Sequence, residues 1–135
     1  MAGHPAATSA VLIIGNEVLS GRTQDANLAF LAARLSDLGV PVVEARVVPD
    51  EEDVIVAALH ALQARATYVF TTGGIGPTHD DITAAAIAKA FGVSLVRDPE
   101  AERRLREHYA GLDVNKARLK MADVPQGATL IDNPV

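Results

Sequence analysis

The sequence predicts an α/β protein with three layers, in which helices cover both faces of a mostly parallel central sheet. Short apolar runs rich in Val and Ile alternate with segments whose apolar residues recur at helical spacing, and this alternation is typical of a parallel sheet. Of the 135 residues, 49% are hydrophobic and only 4% are aromatic. The core must therefore be built from Ala, Val, Leu and Ile, which suits helices packed on a buried sheet.

Each predicted element has its own signal in the sequence. The run SAVLIIG at 9–15 is apolar almost throughout, as expected for a strand buried on both faces. Leucine recurs at helical spacing from Leu28 onward, and Gly39 follows as a common helix stop. Asp98 and Pro99 occupy positions where an N-cap and a first helical residue are preferred. In chain order, the predicted strands are 9–15, 40–48, 67–73, 93–98 and 128–133, and the predicted helices are 27–39, 49–66, 80–92, 98–111 and 115–123.

Charge and composition argue against several classes of protein. The formal net charge is −5, so binding to nucleic acid or to a membrane surface is not expected. The chain has no cysteine, which excludes disulfides and thiolate metal sites. We expect residues 1–8 to form a flexible N-terminal tail and residues 9–135 to form one domain that is truncated at its C-terminal end. A cytoplasmic location is expected.

The strongest functional signal is the segment TTGGIGPTHDD at 71–81, which joins a predicted strand to a predicted helix. Ligands of open α/β sheets bind beyond the carboxyl ends of the strands. Glycines lack a Cβ, so the main chain can approach an anion closely and its N–H groups can bind phosphate. The alternative interpretation is a tight strand-to-helix turn with no ligand. The candidate phosphate-binding residues in this loop are Thr72, Gly73, Gly74, Gly76 and Thr78.

Two adjacent aspartates favour a site that also holds a cation. One carboxylate is enough to cap a helix, and a second beside a phosphate would repel it unless a cation intervened. Mg²⁺ is typically held by one or two carboxylates together with substrate phosphates. Asp80 and Asp81 therefore indicate a metal-assisted phosphate site. The alternative is that one of them caps the helix and the other faces solvent.

The loop GNEVLSGRTQDAN at 15–27 follows the first predicted strand and should reach the same rim of the sheet. Glu17 and Asp25 are candidates for a metal ligand or a base, and Ser20 and Gly21 are candidates for close approach to a ligand. Asn27 is a further candidate ligand-binding residue. The alternative is that Asp25 or Asn27 caps the following helix.

Two basic segments allow either a ligand contact or a plain surface role. The arginines within 103–106 lie on one predicted helix face, and we interpret them as solvated. Lys116, Arg118 and Lys120 lie closer to the last motif of the chain, where contact with a ligand phosphate is the alternative to a solvated surface.

These motifs together resemble those of the molybdenum-cofactor-biosynthesis (molybdopterin-binding) domain family. Within that family the chain is most similar to the N-terminal domain of CinA-like competence/damage-inducible proteins. The resemblance rests on GNEVLSGRTQDAN, on TTGGIGPTHDD, and on Asn115 with PQGATLIDNPV, and it covers about residues 10 to 135. It adds Pro134 to the candidate ligand-binding residues. It implies a three-layer α/β/α fold and a homo-oligomer.

The resemblance also implies an activity and its alternatives. In cofactor-synthesis members the glycine loop holds the molybdopterin phosphate, and a following aspartate supports Mg²⁺-dependent adenylylation. CinA-like members are associated with ADP-ribose pyrophosphatase activity. The first hypothesis is therefore a nucleotide pyrophosphatase that uses Mg²⁺ or another divalent cation, with K⁺ as a candidate second ion, held by Asp80, Asp81 and Glu17 as catalytic and metal-binding residues. The alternatives are a molybdopterin-binding, cofactor-synthesis protein and a non-catalytic ligand-binding module.

Overall fold

The computed structural model describes residues 6–110 and 112–132. The longest helix, α3, has 12 residues, and no helix in this part of the chain is long and apolar enough to cross a membrane. The elements are β1 (Ser9–Ile14), α1 (Asn16–Leu19), α2 (Asn27–Asp37), β2 (Val42–Val48), α3 (Glu52–Gln63), β3 (Tyr68–Thr72), α4 (Thr83–Phe91), β4 (Leu95–Arg97), α5 (Pro99–His108), α6 (Lys116–Leu119), a 3-10 turn (Lys120–Ala122) and β5 (Asp123–Pro125).

The central sheet has three parallel strands in the order β2-β1-β3. All six residues of β1 are buried, because this strand has a neighbour on each side and side chains packed on both faces. In register, Ile14 lies beside Val48 and Ile13 lies beside Thr72. The predicted parallel sheet is confirmed, and the three strands end at the same edge.

Helices cover the two faces of this sheet and form the outer layers. On one face, Leu12 and Ile14 of β1 belong to a core cluster with Ile55 and Leu62 of α3 and Ala86 of α4. On the other face, α2 contacts β1 and β2. Only one α2 side chain, Leu35, is buried. The three-layer α/β/α arrangement is therefore confirmed, with its main core on the side of α3 and α4.

The last part of the chain differs from the sequence prediction. Residues 128–132, where a strand was expected, form no strand. The strand lies instead at Asp123–Pro125, where it pairs antiparallel with β4. The helix expected over 115–123 is split into α6 and the 3-10 turn. The helix prediction is therefore confirmed in two shorter pieces. The strand prediction was wrong because the pairing partner of β5 lies about 28 residues away in the chain, and local periodicity does not report such contacts.

The predicted N-caps can be compared with the observed starts of two helices, α5 and α4. Asp98 is the N-cap of α5, and its Oδ1 accepts a hydrogen bond of 2.8 Å from the Ala101 N–H, as predicted. The helix expected from residue 80 begins at Thr83, and its N-cap is Ile82 with no side-chain hydrogen bond. The interpretation that Asp80 or Asp81 caps this helix is therefore wrong.

Candidate functional site

Three loops meet at the carboxyl edge of the parallel sheet. Gly15 follows β1, Pro49 and Asp50 follow β2, and Gly73 follows β3. The Gly15 N–H donates to the main-chain O of Val48 at 2.9 Å. The first loop and the glycine loop thus lie at one edge, where the ligands of open α/β sheets bind.

The glycine loop folds tightly between the end of β1 and the start of α4. Gly73 and Gly74 have φ of +90° and +66°, a conformation that favours glycine. A Cβ on Gly73 would stand less than 3.0 Å from the main-chain O of Ile14, and one on Gly74 would stand equally close to the Thr83 hydroxyl. That buried hydroxyl donates to the Gly73 O at 2.8 Å. Both glycines are thus required by the packing of the loop itself.

Asp81 closes the turn that follows these glycines. Its Oδ2 accepts hydrogen bonds from the main-chain N–H of Thr78 at 2.9 Å and from the Thr78 hydroxyl at 2.7 Å. A Cβ on Gly76 would stand 2.8 Å from the same oxygen, so the carboxylate lies directly against the main chain of Gly76. Asp81 therefore stabilises the loop at 76–81 instead of capping α4.

The surroundings of Asp81 hold the pKa of its carboxyl below the usual value of 3.8. Burial is the largest influence and by itself would raise this pKa. The Thr78 hydroxyl, the main-chain N–H groups of Thr78 and Gly76, and the positive charge of Lys120 together outweigh it. The carboxylate is therefore ionised at neutral pH, and its charge is already compensated within the loop.

Asp80 points away from this arrangement. Its side chain is 74% exposed and lies 3.2 Å from the Nε2 of His79, whose side chain is 93% exposed. Thus the two adjacent carboxylates do not converge: Asp81 faces the glycine loop and Asp80 faces solvent. Asp80 remains accessible to a ligand that approaches from outside.

Lys120 comes to the glycine loop from the 3-10 turn after α6. Its Nζ donates to the main-chain O of Thr78, and its charge acts on Asp81. Lys120 is thus the cation that the fold brings to the loop from 42 residues away. Arg118, which the sequence places in the same basic segment, stacks on Tyr109 with its guanidinium 4.6 Å from the ring centroid.

A cavity of about 250 Å³ opens beside the glycine loop. The glycine loop, Asp81, Lys120 and residues of the first turn of α4 line it. Leu95 and Val124 add apolar side chains to the lining. Drug-sized ligands occupy roughly 300–1,000 Å³, so this cavity holds only a part of a nucleotide. Larger depressions lie between β2 and α3 and beside α5, and neither includes a predicted site residue.

The first loop is held together largely by its own contacts. The Glu17 carboxylate folds over Gly15, where a Cβ would stand 2.6 Å from its Oε1. The exposed Ser20 hydroxyl donates to the Glu17 O at 3.2 Å. Gly21 is exposed, with φ of +80°. None of these contacts ties Glu17, Ser20 or Gly21 to the glycine loop.

Asp25 and Asn27 lie at the start of α2. The Asp25 carboxylate accepts from the Asn27 N–H at 3.3 Å and from the Leu28 N–H at 2.9 Å. The N-cap of α2 is Ala26, so neither Asp25 nor Asn27 stands at the cap position; Asp25 nevertheless satisfies first-turn donors of α2 from the residue before the cap. The Asn27 side chain is exposed.

The predicted metal site is not assembled within residues 6–110 and 112–132. No group of three or more His, Cys, Asp or Glu side chains in this part of the chain is placed to hold a metal ion. Thr72 ends β3 beside Ile13, and Pro134 lies outside the described residues. The predicted roles of the metal-site residues, of Thr72 and of Pro134 stay predictions.

Sequence reasoning missed two residues that shape the site. Thr83 is 2% exposed and ties α4 to the glycine loop; a threonine inside an apolar helix start was the available signal. Asp50 accepts from the Asn16 N–H at 3.1 Å, and its own N–H donates to the Asn16 Oδ1 at 3.3 Å. This reciprocal pair of hydrogen bonds joins the loops after β1 and β2. No local sequence pattern predicts it.

Comparison with known proteins points to one family. The family model described as "probable molybdopterin binding domain" matches residues 10–131. A protein of Pyrobaculum calidifontis is 45% identical over 130 residues, which are 95% of this chain and 50% of that protein. A CinA-like protein of Syntrophus aciditrophicus is 43% identical over 128 residues, which are 93% of this chain and 30% of that protein. The chain thus spans half the length, or less, of these relatives.

Solved structures show the same fold. The structure of "the protein CinA with unknown function" from Thermoplasma acidophilum matches with a TM-score of 0.90 and 37% identity, over 96% of this chain and 77% of that chain. The tungsten cofactor synthesizing protein MoaB from Pyrococcus furiosus matches with a TM-score of 0.58 and 25% identity, over 78% of this chain and 66% of that chain.

Proposed function

This chain belongs to the family of the probable molybdopterin binding domain and is a CinA-type member of it, and from this premise we propose that it binds the phosphate of a nucleotide or a pterin. The observation that supports the proposal is the glycine loop itself. The loop lies at the carboxyl edge of a parallel sheet, borders a cavity at the start of α4, and has the ammonium of Lys120 against it. Small anionic ligands favour such surroundings.

In this proposal the ligand lies across the loop with only one part inside the cavity. The phosphate contacts main-chain N–H groups near Gly74–Thr78, and Lys120 compensates its charge. The apolar wall near Leu95 and Val124 accepts an uncharged ring or chain of the ligand. The remainder of a nucleotide-sized ligand extends over the surface, past the exposed Asp80.

We further propose that the bound ligand is a diphosphate such as ADP-ribose and that the protein hydrolyses it. Water attacks one phosphorus, the phosphoanhydride bond breaks, and the products are AMP and ribose 5-phosphate. In this proposal the exposed Asp80 carboxylate holds Mg²⁺ together with the substrate phosphates, since one carboxylate is enough for this mode of binding. Asp81, which bonds to Thr78, and Glu17, which lies over Gly15, are the further candidates. The cation, when bound, neutralises the diphosphate.

A pterin ligand is the second candidate. It is favoured by the description of the matching family model and by the relation of the fold to a tungsten cofactor synthesizing protein. This version predicts tight binding of molybdopterin, with dependence on ATP if the protein adenylylates it. The same loop would hold the phosphate in both cases.

The test is to incubate the full-length protein with ADP-ribose and Mg²⁺ or Co²⁺, with K⁺ present, and to measure AMP. We expect AMP formation by the parent protein and a loss of about tenfold or more in Lys120→Met, because a charge-assisted phosphate contact is removed. Lys89→Met is the matched control, since Lys89 lies in the last turn of α4 and pairs with Glu52 and Asp53.

Each result separates the candidates. Binding of ADP-ribose without turnover in the full-length protein leaves the non-catalytic binding module. Binding of molybdopterin alone supports the cofactor-synthesis version. An equal loss of activity in the Lys120 and Lys89 variants would remove the assigned role of Lys120.

A further inference from the structure

The anion-binding part of the glycine loop already holds an anion that belongs to the chain. The Thr78 N–H and the Thr78 hydroxyl both point at Oδ2 of Asp81, at 2.9 Å and 2.7 Å. The same oxygen lies 2.8 Å from where a Cβ on Gly76 would stand. A main-chain N–H and a hydroxyl that converge on one oxygen are the donors that an oxygen of a bound phosphate would need.

We propose that the Asp81 carboxylate occupies the phosphate position of the glycine loop and must leave it when the ligand phosphate binds. This inference rests on the proposed function, because it concerns how the same loop receives its ligand. Two anions cannot share the Thr78 donors, so ligand binding and the Asp81 contact exclude each other.

The positive charge beside the loop fits this exchange. Lys120 donates to the Thr78 O, and its charge acts on Asp81. Because the lysine binds the main chain of Thr78 and not the carboxylate itself, it can stay in place while one anion replaces the other. After displacement, the Asp81 carboxylate would face outward, on the side of the exposed Asp80. There it would contact a cation that is bound to the ligand.

The two possible roles of Asp81 predict opposite changes in ligand affinity when its charge is removed. If the carboxylate competes with the ligand, the affinity rises, and if the carboxylate holds the ligand, the affinity falls. Asp81→Asn keeps the size of the side chain and removes the charge. If Asp81 competes with the ligand, this variant binds inorganic pyrophosphate about fivefold or more tightly than the parent protein in buffer with EDTA, because a neutral amide holds the Thr78 donors less strongly than a carboxylate does. Titration calorimetry on the folded full-length protein measures the affinity, and thermal melting confirms that each variant is folded.

The control is Asp37→Asn, which removes the same charge at the end of α2. That helix end precedes β2 and so lies near the amino ends of the strands, opposite the glycine loop. We expect the Asp37 variant to bind pyrophosphate within about twofold of the parent, since a charge more than a Debye length away is largely screened. A similar gain in both variants would mean that net charge and not displacement is measured.

The outcomes distinguish this inference from the proposed function. If the parent protein binds pyrophosphate and Asp81→Asn binds it equally or more weakly, the displacement is overturned while phosphate binding stands. If neither protein binds, both proposals are overturned.

A second measurement needs no variant at Asp81. In the parent protein, the ¹³C carboxyl resonance of Asp81 should move on saturation with pyrophosphate towards that of a solvent-exposed aspartate such as Asp37. An unmoved Asp81 resonance at saturation would contradict the displacement.

Discussion

Single residues in the glycine loop serve the fold and the proposed site together. Gly73 is needed because its main chain turns with φ of +90° and lies against the O of Ile14. This packing fixes the loop at the carboxyl edge of the sheet, where an anion can reach its N–H groups. A sequence rich in glycine at this point is therefore explained by close packing, and the proposed ligand contact depends on that packing.

At this scale we predict that Gly73→Ala is much more destabilising than Gly21→Ala. Both glycines have positive φ, but a Cβ on Gly21 meets nothing within 4 Å. Gly21→Ala should lower the free energy of unfolding by about 1–2 kcal/mol, the cost of the left-handed backbone alone. Gly73→Ala should cost at least about 3 kcal/mol because the main-chain O of Ile14 cannot move aside. Urea unfolding measures both, and equal losses would contradict the packing argument.

At the scale of one element, helix α5 carries arginines and glutamates that form ion pairs along its surface. Its arginines pair with acids of the same helix: Arg103 with Glu100 at 2.6 Å and with Glu107 at 2.9 Å, and Arg104 with Glu100 at 3.0 Å. These guanidinium groups are therefore engaged on the surface of the helix, in agreement with the solvated interpretation. Exposed pairs of this kind contribute little to stability, so their main measurable effect is on titration.

We predict that Glu100 titrates far below an ordinary glutamate. Hydrogen bonds from Arg103 first and Arg104 second lower the pKa of its carboxyl from 4.5 to about 2. Because the pKa in the folded state is lowered, the stabilising effect is present above about pH 4.5 and is lost as the pH falls towards 2. NMR titration of the Glu100 carboxyl measures this. Arg103→Gln should raise the pKa, whereas Arg106→Gln should leave it unchanged, since Arg106 faces Glu102.

The titration of Glu100 also has an outcome that would contradict this prediction. A Glu100 pKa near 4.5 in the parent protein at low salt would show that the pairs in α5 do not persist in solution.

The stability of the whole molecule depends on the side of the sheet that faces α3 and α4. Ala10, Leu12 and Ile14 of β1 pack there against α3 side chains that are almost fully buried. The opposite side is covered by α2, from which only Leu35 is buried. The two sides therefore contribute unequally to the core.

We predict that Leu62→Ala lowers the free energy of unfolding by about 2–5 kcal/mol, because Leu62 is 0% exposed and its removal leaves a cavity. The matched variant is Leu38→Ala, since Leu38 is 59% exposed at the end of α2 and should cost less than about 1 kcal/mol. Urea unfolding of both variants gives the comparison. Similar losses would show that the core does not lie mainly on the side of α3.

The sequence by itself determined the layered α/β architecture, because the signals for it are local. Apolar runs such as 9–15, helical leucine spacing and the Asp98–Pro99 cap each act within a few residues, and parallel strands joined by helices follow from their alternation. The meeting of the loops after β1 and β3 at one edge follows from the same topology. The position of the glycine loop at this edge therefore follows from the sequence alone.

Only the tertiary structure decided what the two aspartates do and what accompanies them. Asp81 bonds to Thr78 while Asp80 faces solvent, and identical neighbours in sequence give no reason to separate them. Lys120 reaches the loop across 42 residues, and β5 pairs with β4 across about 28. The physical reason is the same each time: these contacts depend on how distant segments fold back in space, and the local backbone pattern does not contain that information.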